Sequence, residues 1–172
     1  MPLIAPGERV DVLRRLGLSE ALIRQSIGDR VHPLLDYRCA GPPYHVDHGA
    51  RFPEGPPLVP LWECSDSVTG VWLRKGQVEF VQFSIEDCEN YTVLAHTEQG
   101  LWATVLLNAY EDRDDLPTEA FRDAAAAVGF RFLEWVLETF NSADLSTFQT
   151  HAAFLSSLIA QIDAQGKGAA GR

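Results

Sequence analysis

The apolar positions of the chain change their period twice. Near the start, Val10, Leu13 and Leu16 recur every three residues, and Leu22, Ile23, Ser26 and Ile27 line a second short face up to Gly28. That spacing is one side of a helix. The first 35 residues therefore read as helical, with Gly17 ending one helix and Ser19 capping the next. Arg14, Arg15 and Arg24 fall off the stripes and are expected in solvent. From Leu58 to His96 the period drops to two. Val59, Leu61 and alternate positions of Val68 to Leu73 are strand formers. Val78 and Phe80, interleaved with Val81 and Phe83, predict a strand buried in part on both faces. Arg74 to Gln77, around Lys75-Gly76, is the expected hairpin turn. Asp87 to Asn90 is a polar break, and Tyr91 to Ala95 makes one more strand. Together these segments predict a three- or four-stranded antiparallel meander.

The helical period then returns. Thr97 can cap a helix that runs to about Tyr110 with Leu101, Val105 and Leu106 on its inner face. Residues 111 to 115 read as a charged link, and Pro117 fits the first position of the next helix. Phe121, Ala124, Val128, Phe132, Trp135 and Val136 form one stripe, which predicts a single helix over 118–140 with Phe132 and Trp135 in the core. Asn141 and Ser142 end it. A last helix from Ser146 carries Phe148, Ala152, Leu155, Leu158 and Ile162. Gly166 to Arg172 reads as a disordered tail. The expected fold is α+β: one domain over residues 1–165, with a small antiparallel sheet flanked by N-terminal and C-terminal helices. Residues 36 to 57 interrupt the pattern with Pro42, Pro43, Pro53, Pro56, Pro57 and three glycines, and read as a long loop without helix or central strand.

Charge sharpens this outline. The chain of 172 residues has 24 acids and 14 bases, a net charge of −10. Such a balance disfavours a phosphate backbone or an anionic membrane surface as partner. Between Glu54 and Asp115 stand twelve acids against Arg74, Lys75 and Arg113, a net −9, so nearly all the excess lies in the middle of the chain. A section of this kind is either a solvated surface or a face that meets a basic partner. On the second reading the contact residues are Glu63, Asp66, Glu79, Glu86, Asp87 and Glu89. No apolar run approaches the roughly 20 residues of a membrane span. The first 15 residues lack the apolar core of a signal peptide. Cys39, Cys64 and Cys88 are an odd set without a CxxC pair, which fits a reducing, cytoplasmic setting better than a disulfide scaffold.

Candidate chemistry is sparse. His45, Asp47 and His48 stand within four residues, and a metal there would need a further ligand such as Asp36, Cys39 or Cys64. Structural zinc takes a closed set of four ligands, and the segment supplies no cysteine pair, so no metal and no other cofactor is expected. Each cysteine could act as a nucleophile with His45, His48 or His96 as base, yet none sits in a nucleophile motif. Ser65-Asp66-Ser67 reads as a turn, and phosphate-binding glycine loops are missing from the sequence. Trp62, Trp72, Phe80, Phe83, Trp102 and Trp135 lie on predicted elements without interleaved Lys or Arg, and read as core rather than as a platform for stacked bases.

One segment has a familiar pattern. Pro60-Leu61-Trp62-Glu63, Asp66-Ser67-Val68-Thr69-Gly70-Val71 and Glu79-Phe80-Val81-Gln82-Phe83-Ser84 run as strand, polar turn and two strands before Thr97-Glu98-Gln99-Gly100-Leu101 opens a helix. The pattern, over about 50 residues, is similar to the SUKH superfamily, although the Leu-Pro-x-x-Tyr-like start of the commoner members is not evident between Ser19 and Leu35. The resemblance implies an α+β fold and a non-enzymatic immunity protein that neutralises a bacterial toxin, often a nuclease, by direct binding. It implies no catalytic residues. A basic toxin as partner agrees with the acidic middle of the chain. The alternative is a small metal- or cysteine-dependent enzyme built on the 36–57 loop.

Overall fold

In the computed structural model, residues 3–44, 57–74, 77–113 and 115–169 are described. Four strands, β1 (Leu58–Cys64), β2 (Ser67–Arg74), β3 (Gln77–Ser84) and β4 (Tyr91–Ala95), form an antiparallel meander in the order β1-β2-β3-β4. Among the described residues, two short helices precede it, α1 (Pro6–Arg15) and α2 (Glu20–Ser26), and four follow, α3 (Glu98–Asp112), α4 (Thr118–Val128), α5 (Leu133–Ser142) and α6 (Phe148–Ala169). The α+β class with a flanked sheet is therefore borne out.

The turns explain why the strands fall where they do. Arg74 pairs with Gln77 at one end of the β2–β3 hairpin and Ser67 with Ser84 at the other. Cys64 pairs with Ser67, which leaves Ser65-Asp66 as the tight β1–β2 turn, with Ser65 at φ +54°. β3 is buried on two sides, as its pattern requires. Phe80 enters the main core with Val59, Leu61 and Val71. Val81 and Phe83 join Leu58, Val68, Trp72 and Cys88 in a second cluster on the other face.

α3 is apolar nearly all round and is consequently the buried central helix. Leu101, Trp102, Ala103, Val105, Leu106, Leu107 and Ala109 are all buried. One side packs on β4, and others meet α4, α5 and α6. Trp102 stacks on Trp62 of β1 with ring centroids 5.7 Å apart.

Several sequence-based expectations are corrected. The 118–140 stripe belongs to two helices, because Gly129 takes a left-handed φ of +68° and closes α4. Phe130 N–H then donates to Ala125 O (2.8 Å) and Gly129 N–H to Ala126 O (3.1 Å), which satisfies carbonyls at the helix end. The apolar period survives the break because both helices face the same core. Val136 and Leu137 are buried, whereas Phe132 and Trp135 are only half-buried against it. Pro117 is the residue before α4 and not its first. α3 continues through Glu111 and Asp112, which were expected in a link. The Gly-rich end is helical as far as Ala169.

α1 ends and α2 begins as expected, with Gly17 at φ +73° and the Ser19 side chain accepting from Leu22 N–H at 3.2 Å. Helix does not continue to residue 35, because Gly28 turns the chain at φ +84° and only a 3-10 turn at Pro33–Leu35 follows. Ile27 is 51% exposed, off the buried face of α2.

Phe148 was expected on the core side of the last helix, yet it is 86% exposed in the first turn of α6. The buried face of that helix begins later, with Leu158, Ile159 and Ile162. Phe148→Ser should therefore change stability by less than about 0.5 kcal/mol in urea unfolding. A loss of 2 kcal/mol or more would place this ring in a packed site.

Part of the expected loop is built into the fold. Gln25, buried in α2, donates to Cys39 O at 2.7 Å and accepts from Val31 N–H at 3.2 Å. Cys39 is buried, and Ala40 makes an isolated antiparallel bridge to Glu63. Pro42 and Pro43 follow the bridge, where no ladder bond is asked of them. At Gly41 a Cβ would stand 2.4 Å from Gln25 O, so the backbone passes α2 at a distance only glycine permits.

Candidate functional site

The meander puts the β1–β2 turn and the β3–β4 turn at one end of the sheet. Ile85 N–H donates to Asp66 O at 2.8 Å and ties the two turns together. Within the second, Asp87 N–H donates to Ser84 O (3.2 Å), Glu86 N–H to Ser84 Oγ (3.2 Å) and Asn90 Nδ2 to Asp87 Oδ2 (2.7 Å). Asp66, Glu86, Asp87 and Glu89 are thereby gathered at this end, and all four are exposed.

Two of the six expected contact residues are elsewhere. Glu63 is buried on β1, where its backbone bridges Ala40. Glu79 pairs with Trp72 near the far hairpin, five residues or about 17 Å along β3 from Ser84. Its Oε2 is buried without a hydrogen-bond partner among the described residues.

The other described acids of the middle section have partners within the fold. Asp112 pairs with Arg38, and Asp115 with Arg113 at 2.8 Å. The Arg113 guanidinium holds the Asp115 carboxyl below the usual carboxylate range. Glu111 meets His151 of α6 at 2.6 Å. Glu98 accepts from Ser19 N–H at 2.8 Å, from the Ser19 hydroxyl and from Trp102 Nε1 at 3.0 Å. Among the described residues, Asp66, Glu86, Asp87 and Glu89 form no ion pair. The acidic section thus divides into carboxylates that fasten the fold and carboxylates that face water together.

His45, Asp47 and His48 lie outside the described residues. Asp36 Oδ2 pairs with Arg30 at 3.2 Å. Cys88 is buried in the second cluster, its thiol against Ile85 O at 3.5 Å, and burial pushes that thiol up. His96 directs its backbone N–H to Asp163 at 2.8 Å. Among the described residues, no three His, Cys, Asp or Glu side chains are grouped to hold a metal ion. None of the described helices is long and apolar enough to cross a membrane.

A groove of about 500 Å³ runs between β4 and α6, lined by Val93, Leu94, His96, Leu155, Ile159 and Asp163 among others. At its floor lies a residue that pattern reading passed over. Asp163 is buried and accepts from His96 N–H and from the Thr97 hydroxyl at 2.6 Å. It clasps the start of α3 to α6. Glu98 does the same between α3 and the α1–α2 turn. An acid inside an otherwise apolar helical stripe, as at Asp163 after Ile162, was the available signal. In comparison with known proteins, the chain matches no family model, no curated protein and no solved structure.

Proposed function

We propose that this protein is a non-enzymatic binding protein that captures a basic bacterial toxin, a nuclease being the class the sequence resemblance implies, and neutralises it by occlusion. The observation that carries the reading is the gathering of Asp66, Glu86, Asp87 and Glu89 at one end of the sheet, exposed and without cationic partners among the described residues. Four carboxylates on two linked turns make a local negative field. Such a field speeds the encounter with a basic protein and sets its orientation, while contributing less to the final affinity. The turns are short and hydrogen-bonded, so little ordering entropy is lost on contact. The same arrangement repels nucleic acid, which leaves a protein as the fitting partner.

The triple substitution Asp66→Lys, Glu86→Lys, Asp87→Lys tests this. Association with the cognate toxin domain, sought in a large toxin-bearing reading frame beside the gene, is measured over a salt series. The substitution should slow association at least about tenfold at low salt and flatten its salt dependence. An unchanged on-rate at low salt, with the fold intact by circular dichroism, would remove this end of the sheet from the interface.

A further inference from the structure

Cys39 and Cys64 are 25 positions apart in sequence and flank the Ala40–Glu63 bridge at the outer edge of β1. Ala40 and Glu63 exchange both backbone hydrogen bonds, Ala40 N–H to Glu63 O at 3.2 Å and Glu63 N–H to Ala40 O at 3.0 Å. They are therefore a hydrogen-bonded antiparallel pair. The bridge is isolated, with Cys39 N–H turned back to Leu35 O at 2.8 Å, but its register continued one step would set Cys39 opposite Cys64, and the Cys64 sulfur is near enough to act on the Cys39 thiol. The pair next to a hydrogen-bonded one is of the closer kind, with Cα atoms about 4.5 Å apart. Disulfides span Cα separations of about 4.4–6.8 Å. Both thiols are free. The Cys64 sulfur is only partly covered and lies 3.6 Å from Tyr37 O, on the turn that leads into Cys39.

We propose that Cys39 and Cys64 are a dithiol that closes reversibly into a disulfide when the protein meets a low-molecular-weight disulfide oxidant, pinning the segment before Pro42 to the edge of β1. Cys64, the more accessible thiol, reacts first. It gives its proton to water, and its thiolate attacks one sulfur of the oxidant RSSR. The S–S bond breaks, and RS⁻ leaves to become RSH. Cys39, once deprotonated, attacks Cys64 Sγ in the mixed disulfide and expels the second RS⁻. Two protein thiols are oxidised, and one RSSR is reduced to two RSH. Burial pushes the Cys39 thiol up, with the neighbouring Cys64 adding to the effect, so closure is slower than the first exchange. Cys88 belongs to the cluster on the opposite face of the sheet and takes no part. A pair of this type suits a reducing compartment, where disulfides are transient and report oxidation.

The test incubates the native protein with oxidised glutathione at pH 8, then alkylates free thiols after denaturation and maps the peptides. Two of the three thiols should be lost together, as a Cys39–Cys64 link that dithiothreitol reverses, with Cys88 alkylated. The melting temperature should rise by several degrees, because the link closes a loop in the unfolded chain. Cys88→Ser should form the same link, and Cys64→Ser should form none. The proposal is overturned if Cys64 stops at a mixed disulfide with Cys39 still alkylatable. It is also overturned if all three thiols stay free, if Cys88 enters the link, or if closure lowers the melting temperature.

Discussion

Trp102→Ala is expected to destabilise the protein by about 3–5 kcal/mol, which is much of the stability of an ordinary domain. The indole is fully buried in the second turn of α3, and two separate interactions end on it. It stacks on Trp62, with planes 22° apart, and so joins the central helix to β1. Its N–H donates to Glu98 Oε1 at 3.0 Å, and Glu98 in turn holds Ser19 at the start of α2. Truncation leaves a cavity between sheet and helix and removes one donor from a carboxylate that needs its donors. Urea unfolding followed by far-UV circular dichroism measures the loss. Thermal melts should fall by about 10 °C, at the 2–4 °C per kcal/mol typical of a chain of this size. Trp102→Phe separates the contributions. It keeps a buried six-membered ring but loses the donor and part of the indole, so a smaller cost of about 1–2 kcal/mol is expected. Equal costs for Ala and Phe would assign the effect to the hydrogen bond alone and contradict the packing argument.

Asp163→Ala is expected to cost about 3 kcal/mol. The carboxylate is buried on α6 and serves two donors at the first turn of α3, the His96 N–H at 2.8 Å and the Thr97 hydroxyl at 2.6 Å. Thr97 Oγ1 in turn accepts from Gly100 N–H at 3.1 Å, so the cap of the central helix is itself held in place by α6. Removing the carboxylate strands a backbone donor and loosens the cap, each costing on the order of 1–3 kcal/mol. Asp163→Asn keeps one acceptor and should lose about half as much. In a double-mutant cycle, Asp163→Ala and Thr97→Ala should couple by about 1 kcal/mol, since the two side chains are bonded directly. Additive losses would show that they act independently. The space around this contact is tight. A Cβ at Gly100 would lie 2.5 Å from Asp163 Oδ1 and 2.9 Å from Ala95 Cβ, so Gly100→Ala should also destabilise. Although His96 and Asp163 both line the groove beside β4, these bonds make Asp163 part of the framework and not a free acid.

The acidic end of the sheet arises from turns of the meander, and the thiol pair at its edge from the Ala40–Glu63 bridge. Four carboxylates are exposed there because Asp66 and the 86–89 segment occupy hairpin turns that the sheet cannot bury. The β1 edge, by contrast, is partly covered, because Ala40 bridges Glu63 and brings Cys39 into the core. An oxidised Cys39–Cys64 link would stiffen the edge next to the acidic turns without changing their charge.

What could be decided from sequence alone was what is local. The alternation in 58–83 and the polar punctuation at 65–66, 74–77 and 87–90 determine a meander, because side-chain period and turn chemistry act over a few residues. The caps at Ser19 and Thr97 and the stop at Gly17 are local in the same sense. Composition likewise marked Asp66, Glu86, Asp87 and Glu89 as candidates, and a meander places alternate turns at one end. Tertiary structure decided everything that depends on distant neighbours. Gly129 could be read as a tolerated residue within one stripe, since α4 and α5 face the same core and the period runs through the break. Phe148, Phe132 and Trp135 carry apolar signals, yet the solvent boundary leaves the first exposed and the others half-buried. Glu63 and Glu79 look like Asp66 in a charge count, but their positions within strands take them away from the exposed turns. Glu98 and Asp163 are the fullest case. Their partners lie 79 and 66–67 residues away in sequence, and only folding tells an acid that fastens a helix from one that faces water.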